Sequence, residues 1–311
     1  MIINISGRTD IPAWYTPWLL NRFREKFVYV RNPYNEHQIS CYRLQPEVVD
    51  CIMFCSKNPA PLVPHIKELS DFNLYFHVTI TPYSTDVEPR VPEYTFVAMA
   101  LKKLSDIIGR KNVVWRYDPI LFFKHYDIDF HIKHFANIAK LLSGSVDVCV
   151  ISFLDIYEKV SRNFPLAVAP DKKEIFTMAN HFEKIAKDCN IKLQSCAEAV
   201  DLSAFSIART PCLTSQTLSQ LSGKNVQLPV NSAMLRENCG CLPWRDIGAY
   251  DTCPHGCRYC YANSRFAAAV QNYQNHNPGS AILGSTIKDD DKITQSQQQT
   301  FLSSQFSLFD F

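Results

Sequence analysis

The residues best suited to chemistry in this chain sit close together near its end. The run Asp251-Thr252-Cys253-Pro254-His255-Gly256-Cys257-Arg258-Tyr259-Cys260-Tyr261-Ala262 spaces three cysteines as C-x-x-x-C-x-x-C. Three thiolates on one tight loop can hold three irons of a [4Fe–4S] cube and leave the fourth iron open to a small molecule. Gly256 permits the tight backbone path, and Pro254 stiffens it. A zinc site completed by His255 is the main rival, and three unligated core cysteines are the plainest one. Zinc knuckles usually pair two C-x-x-C units in closed four-coordination, so the iron–sulfur reading leads.

The chain has 12 cysteines, and seven of them fall between Cys196 and Cys260. In a reducing compartment such clustering points to metal or catalysis rather than disulfides. Cys196, Cys212, Cys239 and Cys241 form a second set. Four thiolates suit a fully ligated second [4Fe–4S] cluster, with a structural zinc as the alternative. Cys41, Cys51, Cys55, Cys149 and Cys189 lack metal-like partners and read as buried apolar residues. Arg116 and Asp118 fall on one face of a strand by alternation. With Lys57, Ser152, Asp155 and Lys159 they can bind a carboxylate, a phosphate or a ribose, or simply form structural ion pairs. No glycine-rich phosphate loop and no serine-hydrolase elbow is present.

Elements that could position these groups recur along the chain. Short β-rich apolar runs occupy 2–6, 27–31, 51–56, 74–81, 113–117, 146–153, 192–196 and, more weakly, 246–250. Helical periodicity covers 14–23, 92–108, 130–142 and 174–189, where apolar residues recur at three- and four-residue steps. Alternating strands and helices predict a parallel sheet with helices outside. Eight strands predict an α/β fold of the (β/α)8 TIM-barrel type, with an open six-stranded variant as the alternative. Polar groups mark most strand ends: Arg8-Thr9-Asp10, Arg31-Asn32, Ser56-Lys57-Asn58, Thr81-Pro82-Tyr83, Arg116-Tyr117-Asp118, Ser152 with Asp155, and Cys196 with Glu198. In a barrel those ends share the face that carries the site.

Of the 311 residues, 46% are hydrophobic and 20% charged, which excludes global disorder. A net charge of +2 advertises no polyanionic partner. The start, Met1 to Pro12, lacks the pattern of a secretory signal, and no apolar run reaches the ~18 residues of a membrane span. The expectation is a cytoplasmic protein. Residues 1–271 read as the barrel, with the cluster-binding segment at 196–265. Residues 272–304 are rich in Asn, Gln, Ser, Thr and Asp and read as a flexible linker before an apolar end at 305–311.

The cysteine spacing, the aromatic Tyr259 before the third cysteine and the following Tyr261-Ala262 resemble the signature of the radical S-adenosylmethionine superfamily. The resemblance implies that Cys253, Cys257 and Cys260 ligate a catalytic [4Fe–4S] cluster and that the open iron chelates S-adenosylmethionine. It further implies that Tyr259 lies against the adenine and that a 5′-deoxyadenosyl radical is formed. A one-electron donor such as a flavodoxin or ferredoxin is implied as well. The motif normally follows the first strand, and here it follows the last. A circularly permuted barrel leaves the site in place, because strand eight adjoins strand one. Arg8 and Asp10 would then approach the S-adenosylmethionine, with Arg116 and Asp118 as further cofactor-binding candidates. No Gly-Gly-Glu motif is present, so the residues holding the methionine amino group do not carry over. Arg8-Thr9-Asp10-Ile11-Pro12-Ala13, Lys57-Asn58-Pro59 and the late cysteine motif together resemble a bacterial family of this kind, and that resemblance supplies no reaction.

The terminal Gln305-Phe306-Ser307-Leu308-Phe309 resembles the peptide by which bacterial polymerases and repair proteins dock on the sliding clamp. In that mode Gln305, Leu308 and Phe309 are the anchors, and a disordered tail orders only on binding. The alternative is an end that packs back on the barrel. The leading expectation is a radical enzyme of nucleic-acid repair or modification recruited to DNA through its tail. A radical enzyme acting on a small metabolite or peptide and a zinc-stabilised, non-catalytic binding module are the alternatives.

Overall fold

The computed structural model describes residues 1–228 and 239–303. In chain order its strands are β1 (Ile2–Ile5), β2 (Phe27–Asn32), β3 (Asn35–Arg43), β4 (Cys51–Ser56), β5 (Leu74–Thr79), β6 (Val113–Ile120), β7 (Val148–Phe153), β8 (Lys192–Ser195), β9 (Ala208–Arg209), β10 (Trp244–Asp246) and β11 (Lys292–Gln295). The helices are α1 (Ile11–Trp14), α2 (Thr16–Glu25), α3 (Tyr94–Ile108), α4 (Ile128–Leu142), α5 (Glu158–Asn163), α6 (Lys172–Asp188), α7 (Ser215–Ser222) and α8 (Phe266–Gln274).

Eight strands form one parallel sheet in the order β10-β1-β4-β5-β6-β7-β8-β9. The chain's first strand therefore lies between β10 and β4, with Ile2 opposite Trp244 and opposite Cys51. The end strands β9 and β10 do not pair with each other among the described residues. Alternation divides each strand between two faces. Ile3, Ile5, Ile52, Phe54, Phe76, Val78, Trp115, Tyr117 and Ile151 pack with the apolar sides of α2, α3, α4 and α6. On the other face Ile2, Cys51, Met53, Tyr75, Val114 and Val150 form a separate apolar group, covered by Leu218 of α7 and by Phe301. Toward the strand ends this second face turns polar, with Asn4, Cys55, His77, Arg116, Asp118 and Asp246. Helix ends are fixed locally: Asp127 caps α4, and Asp171 and Glu174 form a reciprocal capping box on α6.

Three expectations change. The run at 27–31 is a strand, but it pairs antiparallel with β3 in a separate three-stranded sheet with β11. Arg31 therefore stands away from the main sheet's ends and pairs with Asp291 at 2.6 Å. The eighth place in the main sheet goes to the two-residue β9, too short for any periodic signal. The last strand is Trp244–Asp246, earlier than the weak run at 246–250.

The segment expected as a flexible linker is instead packed through residue 303. Trp18 Nε1 donates to the Ser280 carbonyl at 2.8 Å, and Tyr29 N–H donates to that of Ala281 at 2.9 Å. Ile282, Leu283 and Phe301 are buried. Asp50 accepts from the amino group of Met1 at 2.5 Å, from Thr300 Oγ1 at 2.5 Å and from Phe301 N–H at 2.8 Å. A few apolar anchors and backbone hydrogen bonds hold this segment, and neither leaves a periodic pattern in a polar sequence. Residues 305–311, with Gln305, Leu308 and Phe309, lie outside the described residues. Among the described residues no helix is long and apolar enough to cross a membrane.

Candidate functional site

The loops that follow β1, β4, β5 and β10 leave the sheet at the same end and meet. Asp246, at the end of β10, organises the first contact. Its carboxylate accepts from Ser6 Oγ at 2.6 Å, Gly7 N–H at 2.7 Å, Gly248 N–H at 2.8 Å and Asn4 Nδ2 at 3.3 Å. The loop after β1 is thereby tied to the strand that leads into the cysteine run. Burial pushes the Asp246 carboxyl up, while those hydrogen bonds and Arg8 pull it back.

Asp10 makes the second contact. Its Oδ1 accepts from Ser56 Oγ at 2.7 Å and from Ala13 N–H at 3.1 Å, which caps α1. Its Oδ2 accepts from Lys57 N–H at 2.7 Å and lies 2.9 Å from His255 Nε2. The other nitrogen of His255 faces the Arg90 carbonyl at 3.2 Å. Both partners of the ring are acceptors, an arrangement that the doubly protonated imidazole satisfies. Asp10 thus joins the loop after β1, the loop after β4 and the centre of the C-x-x-x-C-x-x-C run. Arg8 stacks over the Tyr250 ring at 5.2 Å, and Tyr261 Oη donates to the Gly7 carbonyl at 2.6 Å.

The cysteine run is a fixed turn. Gly256 adopts φ +74°, and a Cβ there would stand 2.7 Å from the Phe266 ring, so glycine is required on both counts. Asn263 Nδ2 bonds the Cys253 carbonyl at 2.7 Å, and Tyr15 Oη bonds that of Thr252 at 2.6 Å. Arg90 N–H to the His255 carbonyl at 3.1 Å and Arg258 N–H to the Val87 carbonyl at 3.0 Å lay the turn on the segment after β5. Burial pushes the Cys253 thiol up to about 12, and backbone hydrogen bonds from His255 and Asp10 oppose it. Burial likewise raises Cys257, opposed by Lys57, and Cys260, opposed by backbone hydrogen bonds from Asn263 and Ala262.

Tyr259 is buried beside Tyr83, Val87, Leu121, Phe123 and Cys257. Its hydroxyl donates to Glu88, which also accepts from Lys57 Nζ at 2.8 Å and Thr81 Oγ1 at 2.8 Å. Lys57 Nζ stands 5.5 Å from the centre of the Tyr259 ring. Asp246 and Glu88 escape sequence reasoning: each is an isolated acid with no spacing relation to the cysteines.

Further along the sheet the Arg116 guanidinium reaches Asp118 Oδ2 through Nη2 at 2.5 Å and Nε at 3.1 Å, and Cys212 Sγ through Nη1 at 3.3 Å. The expected pairing of Arg116 with Asp118 on one face is present. Ser152 Oγ and Phe153 N–H donate to Glu198 at 2.7 and 2.9 Å. Burial pushes the Glu198 carboxyl up to about 7. Of the second thiol set, Cys196 Sγ lies 3.4 Å from Cys212 Sγ, and Cys241 Sγ accepts from Cys212 N–H at 3.1 Å. Cys239 is buried two residues before Cys241.

The comparisons with known proteins name a family and no activity. The model of a domain of unknown function, DUF1848, matches residues 2–262. No curated protein matches the chain. The matched span takes in all eight strands of the main sheet and ends just after the third cysteine of the turn. The chain belongs to the DUF1848 family.

Proposed function

We propose that this member of the family is a radical S-adenosylmethionine enzyme built on a (β/α)8-type barrel, with a catalytic [4Fe–4S] cluster held by Cys253, Cys257 and Cys260. The observation that carries this reading is the placement of the turn. Its three cysteines sit at the C-terminal end of a parallel sheet, where such folds keep their sites, and the turn is bonded to the loop after β1 through Asp10 and His255.

The donor set suits the group. Three soft sulfurs on one turn, one buried and two half-buried, two of them with backbone hydrogen bonds, can shed their protons to iron. Lys57 favours the Cys257 thiolate, while burial and Glu88 oppose it. When bound there, the cluster with S-adenosylmethionine supplies a 5′-deoxyadenosyl radical able to abstract a hydrogen atom. The chain's own residues fix the turn and its surroundings. Asp10 fixes the turn against the sheet. Glu88 holds the Tyr259 hydroxyl and so sets the plane of the ring that would meet the adenine. Arg258 covers the Phe164 ring at 4.2 Å and closes the aromatic wall on that side. Arg8, Arg116 and Asp118 are charged groups at this end of the sheet, with Arg116 already bonded to Asp118 and Cys212, and Glu198, pushed up to about 7 by burial, can exchange a proton there.

The proposal includes a one-electron donor of the flavodoxin or ferredoxin type. Its nucleic-acid part, with docking of Gln305, Leu308 and Phe309 on a sliding clamp, rests on the sequence of the last residues. The test is anaerobic purification, iron and sulfide analysis, and incubation with reductant and S-adenosylmethionine. Brown protein that forms 5′-deoxyadenosine, and a colourless Cys253→Ala/Cys257→Ala/Cys260→Ala variant that forms none, are expected. Undiminished cleavage by the triple variant, or a wild-type protein with zinc on this turn and no iron, sinks the reading.

A further inference from the structure

The second thiol set sits at the one place where the main sheet is left open. Strands β9 and β10 are its two ends, and no strand pairing joins them among the described residues. Among the described residues one backbone hydrogen bond, Leu242 N–H to the Leu213 carbonyl at 3.1 Å, crosses from the segment after β9 to the segment before β10. Cys212 and Cys241 flank that bond on either side. Cys196 comes from the end of β8, next to β9. The three thiols thus reach the seam from both of its borders.

We propose that Cys196, Cys212 and Cys241, with Cys239 as the fourth ligand, hold a single zinc ion that clips β8 and β9 to β10. This site is separate from the turn at residues 253–260 and does not depend on what that turn binds.

Three observations carry the proposal. The first is spacing. Thiolates that share one tetrahedral zinc at ~2.3 Å lie about 3.8 Å apart. Cys196 Sγ and Cys212 Sγ are separated by 3.4 Å, close to that edge. A cube holds each thiolate on a different iron and keeps its ligands farther apart, so this pair suits one ion better than the second cluster expected from cysteine count alone. The three sulfurs do not all fall within 4.8 Å of one another, so a bound ion would have to draw the third thiol in.

The second observation is the surroundings. Cys51 and Cys149 are buried against aliphatic and aromatic neighbours, as structural thiols usually are. Cys196 and Cys212 pack in the same apolar cluster as Cys51, but Cys212 and Cys241 also meet N–H donors. Cys212 Sγ takes the Arg116 guanidinium at 3.3 Å, and Cys241 Sγ takes the Cys212 N–H at 3.1 Å. Hydrogen bonds from N–H donors to sulfur are the outer contacts that orient and stabilise metal-bound thiolates. The charged groups facing the set are Arg116 and, bonded to it, Asp118. His77 bonds the Cys212 carbonyl at 3.1 Å through Nε2.

The third is mechanical. A three-residue edge strand such as β10 has one paired neighbour, β1, and gains from a cross-link on its open side. A closed set of four thiolates can hold zinc as a structural ion.

The test counts metals on anaerobically purified full-length protein and on the Cys253→Ala/Cys257→Ala/Cys260→Ala variant. One zinc per chain is expected in both, whatever iron the wild type carries. Zinc-edge X-ray absorption on the wild type should show a sulfur shell at ~2.3 Å, which needs no variant to fold. Cys212→Ser should lose the zinc and melt at lower temperature. Absence of zinc from folded wild type, whether its thiols are free or Cys196 and Cys212 are joined in a disulfide, overturns the proposal. So does retention of about four irons by the triple variant, which would establish a second cube.

Discussion

Replacing Asp10 by Asn tests how the loops after β1 and β4 hold the cysteine turn. The carboxylate takes four donors, two on each oxygen: Ser56 Oγ and Ala13 N–H on one, Lys57 N–H and His255 Nε2 on the other. Asn offers one acceptor oxygen and one amide group. In its least costly orientation the amide faces Ser56, whose hydroxyl can turn to accept, and Ala13 loses its cap, worth about 1 kcal/mol. The bonds to Lys57 and His255 persist but become neutral, at roughly half the strength of charge-assisted ones, a loss of about 1 kcal/mol each. The sum is a destabilisation of about 3 kcal/mol. Ser56→Ala, which removes one donor and leaves the carboxylate, should cost about 1 kcal/mol. Urea unfolding of both variants at neutral pH measures these values, and iron retained after anaerobic reconstitution reports on the turn itself. Asp10→Asn should bind less iron than wild type, and Ser56→Ala nearly as much. A loss below 1 kcal/mol with full iron loading would refute the idea that this carboxylate couples the loops.

Acid should weaken the fold through its buried histidines. His131 sits between Tyr117 Oη at 2.8 Å and the Leu121 carbonyl at 2.9 Å, and burial pushes it down to about 4. The unfolded chain takes up that proton near pH 6.5 and the folded ring only near 4, so stability falls as pH drops through this window, by up to about 3 kcal/mol for this group. Flat urea midpoints between these pH values would contradict it. Leu283→Ala should cost about 2–5 kcal/mol because Leu283 is buried in the main core, whereas a flexible linker would feel nothing; thermal or urea unfolding decides. Leu308→Ala with Phe309→Ala should abolish binding to purified sliding clamp while leaving unfolding unchanged, and equal binding by wild type and variant would end the clamp reading.

What the sequence discloses and what it hides follows from how each feature is encoded. The strands β1, β4, β5, β6, β7 and β8 and the helices α2, α3, α4 and α6 are legible because each buries an apolar face, which imposes a period. Strand 27–31 is legible as a strand, but nothing local says that its partner is the polar run Asn35–Arg43 instead of the main sheet. The two residues of β9 and the three of β10 are below the length at which a period can be read. The cysteine spacing announces the turn. Its supports, Asp246 and Glu88, are single acids whose partners come from distant parts of the chain, and only the fold brings them together. Asp10 is legible as a group at a strand end, yet its bond to His255 spans 245 positions.

The position of the motif near the chain's end is physically unremarkable once the sheet order is considered. A sheet edge has no memory of chain order: β10 lies against β1 with parallel register, so a loop leaving β10 reaches the loop leaving β1 whichever is synthesised first. The consequence is a weakness. The strand that carries the cysteine turn is short and, among the described residues, has β1 as its one neighbour in the sheet. Strand pairing over three residues fixes such an element poorly, so other bonds must hold it. Asp246 ties it to Ser6 and Gly7, Asp10 ties the turn to the loops after β1 and β4, and Glu88 ties the turn to the segment after β5. Among the described residues the seam side has one backbone bond and a cluster of thiols. Seven of the chain's 12 cysteines lie between 196 and 260, on the segments that border β10 at the seam and on the turn that follows it.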